Sequence, residues 1–362
     1  MIDRANIFFC GDYYNSNGED FLCEESKSII KNHDLSILNF EGSLKGNKRI
    51  LKAGPHMFQN ISAIEIIKKY NFNLVSLANN HIFDYGEDGL KKTLFHLESN
   101  NIGHVGAGMS YLDYWEPHRV VVNNIKFSFF SVAESQFGCV EQDYEKSGYC
   151  WLFDDLLLEK ISKEKQNTDH VVVLSHAGLE DVNFPLIEIR NKYKKLIDFG
   201  ASIIIGHHPH VCQGFEHYKD GLIFYSLGNF YFDGSSYYDE YSVSIEFQKN
   251  SFNFDLIGFS CVDGKVQRSK INYKKIRELN NNLQEEVNIR LNNEIASIFF
   301  EKYYLSYFEE SLGYSSKSLV KRFIKSIFFV RNYNWVLLLH NLKIESHRFV
   351  ITRALKNLSK TY

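Results

Sequence analysis

The chain has 362 residues, 44% hydrophobic and 23% charged, with a formal net charge of -3. That composition supports a large buried core, and with 4 prolines it excludes a disordered or linker-rich protein. No uncharged apolar run reaches the length of a membrane span, and the first residues lack the basic and long apolar regions of a signal peptide.

From the start of the chain, short runs rich in branched and aromatic residues alternate with helical patterns. Ile7–Cys10, Leu35–Phe40, Leu74–Ala78, Val171–Ser175 and Ser202–Gly206 read as buried strands. Between them, Ala63–Tyr70, Asp88–Asn100 and Leu186–Phe199 carry apolar residues at helical spacing. The alternation predicts an α/β protein in layers. The runs Val120–Val122, Phe127–Val132, Leu222–Ser226, Ser242–Phe247 and Phe252–Phe259 lack long helices between all of them. They are expected as antiparallel additions to a mixed sheet or to two packed sheets.

After about Lys274 no strand signal follows, and residues 275–362 are expected to form a helical appendage to a domain spanning 1–274. From Gly313 to Tyr362 there are ten Lys or Arg and one Glu, a local charge of about +9. Within it, Leu319, Val320, Phe323, Ile324, Ile327 and Phe328 oppose Lys321, Arg322 and Lys325, giving a basic amphipathic helix over 317–331. Two readings stand. The helix packs on the domain with its basic face in water, or it lies on an anionic membrane surface or a partner protein. The six cysteines, without CxxC spacing, read as reduced thiols, so a cytoplasmic protein is expected, peripheral to the inner membrane face if the tail binds there.

The predicted strands end in residues of one chemical kind. The first ends in Gly11-Asp12, the second in Asn39-Phe40-Glu41-Gly42, and the third in Asn79-Asn80-His81, with Asp84 close behind. Val171–Ser175 runs into His176, and Ser202–Gly206 into His207-His208-Pro209-His210. Ligands bind at the carboxyl ends of strands in α/β sheets. Carboxylates, an amide and imidazoles without thiolates suit manganese, iron or zinc. Each element alone also fits a structural hydrogen-bonding residue; the five together point to a metal site. His207 reads as structural, Asn79 as a turn residue, and Glu180 as a solvated loop carboxylate. Asn229 and Phe230 read equally as pocket border or as turn and core. His340 and His347 receive no role.

These blocks, with Tyr225-Ser226-Leu227-Gly228-Asn229-Phe230, resemble the CapA family, the poly-γ-glutamate capsule biosynthesis branch of the calcineurin-like metallophosphoesterases. The resemblance covers about residues 5–235 and implies a four-layer α/β/β/α sandwich with two divalent metals. It implies Asp12, Glu41, Asn80, His176, His208 and His210 as metal ligands, with Glu41 at the bridging position. It implies His81 beside the leaving group, held by Asp84. Two departures stand out. Asp12-Tyr13-Tyr14 lacks the histidine that usually follows this aspartate in the wider superfamily, and Ala177 stands where a tryptophan is common.

The function expected is a phosphoric ester hydrolase of capsule or surface-polymer synthesis, acting on a phosphorylated small molecule or polymer precursor. No base-stacking motif or basic groove speaks for nucleic acid. A non-catalytic metal-binding accessory subunit and an amide-bond hydrolase stay open beside it.

Overall fold

The computed structural model describes residues 3–141, 146–305 and 339–360. The first half of an eight-stranded sheet comes first: β1 (Ala5–Tyr14), β2 (Leu35–Phe40), β3 (Phe72–Ser76) and β4 (Gly103–Val105), all parallel. Helices α1 (Glu24–Lys31), α2 (Ile61–Lys69) and α3 (Gly86–Ser99) cross between them. Asn60 caps α2, its side chain accepting from the Ser62 amide at 3.1 Å.

The chain then builds a six-stranded sheet from β5 (His118–Val122), β6 (Ile125–Ala133), β7 (His170–His176), β8 (Ile203–His207), β9 (Phe215–Tyr218) and β10 (Gly221–Phe224). Helices α4 (Leu156–Lys165) and α5 (Ile187–Asp198) make its crossovers. It returns to the first sheet as β11 (Asn229–Phe232), β12 (Tyr237–Gln248), β13 (Ser251–Val262) and β14 (Lys265–Ser269). Helices α6 (Tyr273–Asn281), α7 (Glu285–Tyr303) and α8 (Glu345–Ser359) follow.

Side-chain alternation sorts these elements into layers. On β7, Val172 and Leu174 face a core shared with Ile7 and Phe9 of β1, which lies between the sheets. Val171 and Val173 face the other way, onto Leu157 and Ile161 of α4 and Tyr193 of α5. On β1, Phe8 and Cys10 face Ile64, Ile67 and Leu90 of α2 and α3. The result is the four-layer α/β/β/α sandwich. Helices α7 and α8 extend its outer layer, since Ala296, Phe300, Val350 and Ala354 join the same cluster as Tyr193 and Leu196. Arg353 ties α8 to α5 through both carboxylate oxygens of Glu188 at 2.6 Å.

Two expected additions are antiparallel on one side only, to β5 and to β9, and parallel on the other. Phe127–Val132 lies in β6, which pairs parallel with β7 because α4 carries the chain back across the sheet. Leu222–Ser226 overlaps β10, which pairs parallel with β8 because β9 takes up the reversal. Strands β5, β12 and β13 are antiparallel as expected. The amphipathic segment 317–331 lies outside the described residues.

Strand β1 changes partner midway. Its first half pairs with β12 up to Phe9, and from Asp12 onward with β11. The switch brings the Gly228 carbonyl so close that a Cβ on Gly11 would sit 2.0 Å from its oxygen. Gly11→Ala is therefore expected to cost about 2–3 kcal/mol through overpacking against backbone that cannot retreat. Chemical denaturation of the purified variant checks this; an unchanged midpoint would show that the strand junction yields.

Candidate metal centre

The carboxyl ends of parallel strands in both sheets meet at one edge of the sandwich. Asp12 lies on β1, Glu41 just past β2, Asn80 and His81 past β3, His176 at the end of β7, and His208 and His210 past β8. The turn after β8 is strained to aim its rings: His208 has φ 96° and His210 φ 58°, both in the left-handed region. Such backbone costs on the order of 1–3 kcal/mol per residue and persists where the surroundings enforce it.

Asp12, Glu41 and His210 place one donor atom each within 4.8 Å of one another. His210 Nδ1 is 3.4 Å from Asp12 Oδ2, and its Nε2 is 3.8 Å from Glu41 Oε1. A second group meets Glu41 from the other side, with His176 Nε2 at 3.9 Å from the same Oε1. That nitrogen lies 2.9 Å from Asn80 Oδ1 and 3.0 Å from His208 Nδ1. Glu41 thus stands between two clusters of donors. All six residues assigned to metal from the sequence converge here. Asn39 links the clusters, its Nδ2 donating to Asp12 Oδ1 at 2.8 Å and lying 3.2 Å from His176 Nδ1.

Asp12 and Glu41 are both 0% exposed. Burial works against ionisation of Asp12, but the hydrogen bond and charge of His210 and the His208 amide hold its carboxyl below the usual range. Burial drives the Glu41 carboxyl well up, with Asp12 adding to the rise and His210 opposing it. Burial also disfavours the charge on His210, yet Glu41 and Asp12 overcome it and push the imidazole up to about 10. Burial, with His208 adding to it, pushes the His176 imidazole well down, and burial, with His210 adding and Glu180 opposing, pushes His208 down to about 4.

Both Glu41 carboxylate oxygens are buried without a hydrogen-bond partner among the described residues. A cation resolves that shortfall. Donors near 2.0–2.2 Å from a common ion lie roughly 3–4 Å from one another, which is the spacing from Glu41 Oε1 to His176 and His210. The residues present therefore fit a divalent metal, with carboxylate, amide and imidazole donors and no thiolate.

His81 stands beside the clusters. Its Nδ1 is 2.7 Å from Asp84 Oδ2, and the Met57 amide donates to the same oxygen at 2.8 Å. Lys52 adds a close ion pair to Asp84 and brings its Nζ within 3.2 Å of His81 Nδ1. With Nδ1 engaged, the ring's Nε2 is left for chemistry. A cavity of about 190 Å³ opens against Asn80, His81 and His208 and is closed by Lys52, Phe137 and residues 340–347.

The bland readings sort themselves by geometry. His207 points away, Nε2 to the Cys10 carbonyl at 3.1 Å. Asn79 ties backbone, donating to Phe40 O at 2.9 Å and accepting from Gly42 N at 3.2 Å. Asn229 contacts the site, its Oδ1 3.0 Å from His210 Nδ1. Glu180 is an exposed residue lining the cavity. Glu134, Lys52, His340 and His347 were missed. Glu134 follows β6 and is buried 3.8 Å from His208 Nε2, so the strand-end rule applied to β6 finds it. Nothing in the local spacing marks the other three.

Residues 7–234 match the family described as bacterial capsule synthesis protein PGA_cap. The chain belongs to this family. Among its PGA_cap relatives is the capsule biosynthesis protein CapA of Bacillus anthracis, 35% identical over 227 residues, which are 60% of this chain and 55% of that protein. The PGA biosynthesis protein CapA of Bacillus subtilis is 33% identical over 229 residues, 60% of this chain and 58% of that one. The chain thus spans little more than half the length of these relatives. Solved structures resembling this PGA_cap member include a 5′-nucleotidase precursor from Thermus thermophilus, with TM-score 0.44, 13% identity, and 71% and 55% of the two chains covered. Another is a 5′-nucleotidase from Candida albicans, with TM-score 0.41, 12% identity, and 77% and 54% covered. Likeness at this level does not bear on activity.

Stripped of metal, the protein is expected to regain thermal stability when manganese or zinc is added back. Glu41→Gln should weaken metal binding by more than about 100-fold, beyond the loss from an outer partner alone. It should also leave the metal-free protein at least as stable, because it removes an unpartnered buried acid. Metal content by mass spectrometry and melting curves with and without metal check both. A metal-independent melting curve in the wild type would remove the centre.

Proposed function

We propose that this protein is a metal-dependent phosphoric ester hydrolase of bacterial capsule or surface-polymer synthesis. The observation that carries the proposal is the buried, unpartnered Glu41 carboxyl between two donor clusters, with a positioned histidine beside an adjoining cavity. The two clusters support two divalent ions of the manganese, iron or zinc type: Asp12, Glu41 and His210 for one, Glu41, Asn80, His176 and His208 for the other. Such ions, when bound, supply Lewis acidity and an acidified water for attack on phosphorus.

The chain's own residues do the rest. Asp84 and Lys52 fix His81 so that Nε2 is its reactive nitrogen. Burial lowers the proton affinity of this ring, with Asp84 opposing. An anionic substrate beside it favours the imidazolium, whose proton then passes from Nε2 to the leaving oxygen. The substrate is a phosphorylated small molecule or polymer precursor. Six unpaired thiols support a reducing, cytoplasmic location. Among the described residues no helix is long and apolar enough to cross a membrane. The basic stretch from Gly313 is the proposed contact with a membrane surface or partner protein.

One observation favours a binding subunit instead. At the position of the absent first-motif histidine, Tyr14 packs on Phe232 with ring centroids 5.0 Å apart. The first cluster then has three donors rather than four.

Manganese-loaded full-length protein is expected to hydrolyse an aryl phosphodiester or monoester. His81→Ala should keep its metal and lose about 10²–10⁴-fold in kcat. His208→Ala should lose metal and turnover together. Metal retained with no turnover on either ester would favour the binding subunit.

A further inference from the structure

The cavity beside the metal cluster has a wall that lies outside the family-matched residues 7–234. Its residues are His340, Ile344, Ser346 and His347. They are firmly held. The Glu345 carboxylate accepts from the Ser135 amide at 2.9 Å and from Trp151 Nε1 at 3.0 Å, while its own amide donates to Ser135 O at 3.1 Å. Ser346 Oγ donates to Glu134 Oε1 at 2.8 Å. Apart from Trp151, these anchors fall on the two residues after β6. Glu345 and Ser346 are 4% and 1% exposed, so solvent does not compete for them.

Behind the wall stand further braces. His347 Nδ1 lies 3.2 Å from the Tyr304 hydroxyl, and its ring meets Phe299 edge-on at 4.7 Å. His340 stacks on Phe137 with centroids 5.2 Å apart. These contacts oppose a swing of either ring aside to admit a larger guest. The partly open space of about 190 Å³ falls short of the ~300–1,000 Å³ typical of pockets for drug-sized ligands.

We propose that residues 340–347 form a size-selecting wall of the metal pocket. The wall admits a phosphoryl group bearing a compact substituent, about one sugar, amino-acid unit or single phenyl ring, and excludes fused-ring aromatic or mid-chain polymer esters. This inference rests on the phosphoester reading of the same pocket, and it places part of the specificity in sequence that the family span does not include.

The test uses manganese-loaded full-length protein and two probes that are not turned over, inorganic phosphate and 1-naphthylphosphonate, titrated by calorimetry. The wild type should bind phosphate more tightly by about tenfold or more, the scale of a steric mismatch in a closed pocket. His347→Ala and Ile344→Ala, tested singly, should shrink that gap to about twofold or less with phosphate affinity kept. An undiminished gap in both variants, with metal content unchanged, overturns the wall. So does a wild type that binds the naphthyl probe as tightly as phosphate. Should either variant misfold, Ala53→Trp, at another residue that lines the cavity, narrows it and should widen the gap. A wild type that binds neither probe defeats the phosphoester reading, and stripping of manganese by EDTA then decides the wall separately. Faster stripping from the alanine variants supports it, and equal rates overturn it.

Discussion

Two carboxylates, Asp12 and Glu41, lie where water does not reach them, and the site is arranged around their charge. A buried carboxylate must be neutralised by a partner, a proton or a cation. Asp12 has His210, Asn39 and the His208 amide. The Glu41 carboxylate has no hydrogen-bond partner among the described residues. A protonated His210 beside both acids is the chain's interim answer, and an ion between the clusters is the complete one. The neutral rings of His176 and His208 suit that role, because a neutral imidazole keeps one nitrogen lone pair that an ion can take.

The sandwich makes such a concentration of charge tolerable. Parallel strands in both sheets end at the same edge, so each polar residue needs only the short turn after its own strand to reach the centre. The apolar stretches preceding those turns pack both faces of their sheets and hold the turns in place. The strain at His208 and His210 is sustained by this frame. The exchange of partners along β1, which Gly11 permits, brings Asn229 to His210.

Much of this was legible in the residues. Val171–Ser175 and Ser202–Gly206 could be read as buried strands because they are short, uncharged and rich in branched residues, and they fall on β7 and β8. Their terminal histidines could be read because ligands collect at strand ends. Strand direction in the second sheet was less legible. The helix at Leu156–Lys165 has a weakly segregated pattern, and without it β6 reads only as an antiparallel addition, although it also pairs parallel with β7. Lys52 was not legible at all. It reaches His81 and Asp84 from a loop with no regular period, and only the folded path of that loop brings it there. His340 and His347 were hidden for a related reason: their importance comes from what α8 packs against.

The pinning of α8 on Ser135 also sets an order of events in synthesis. Chains emerge from the amino terminus and fold as they go. Asp12, Glu41, Asn80, His176, His208 and His210 all leave the ribosome before the first residue of the 340–347 wall. An ion arriving during synthesis meets an open basin, whereas one arriving afterwards meets a narrowed mouth. Loading and exchange are thus separate kinetic problems, and the last stage of folding divides them.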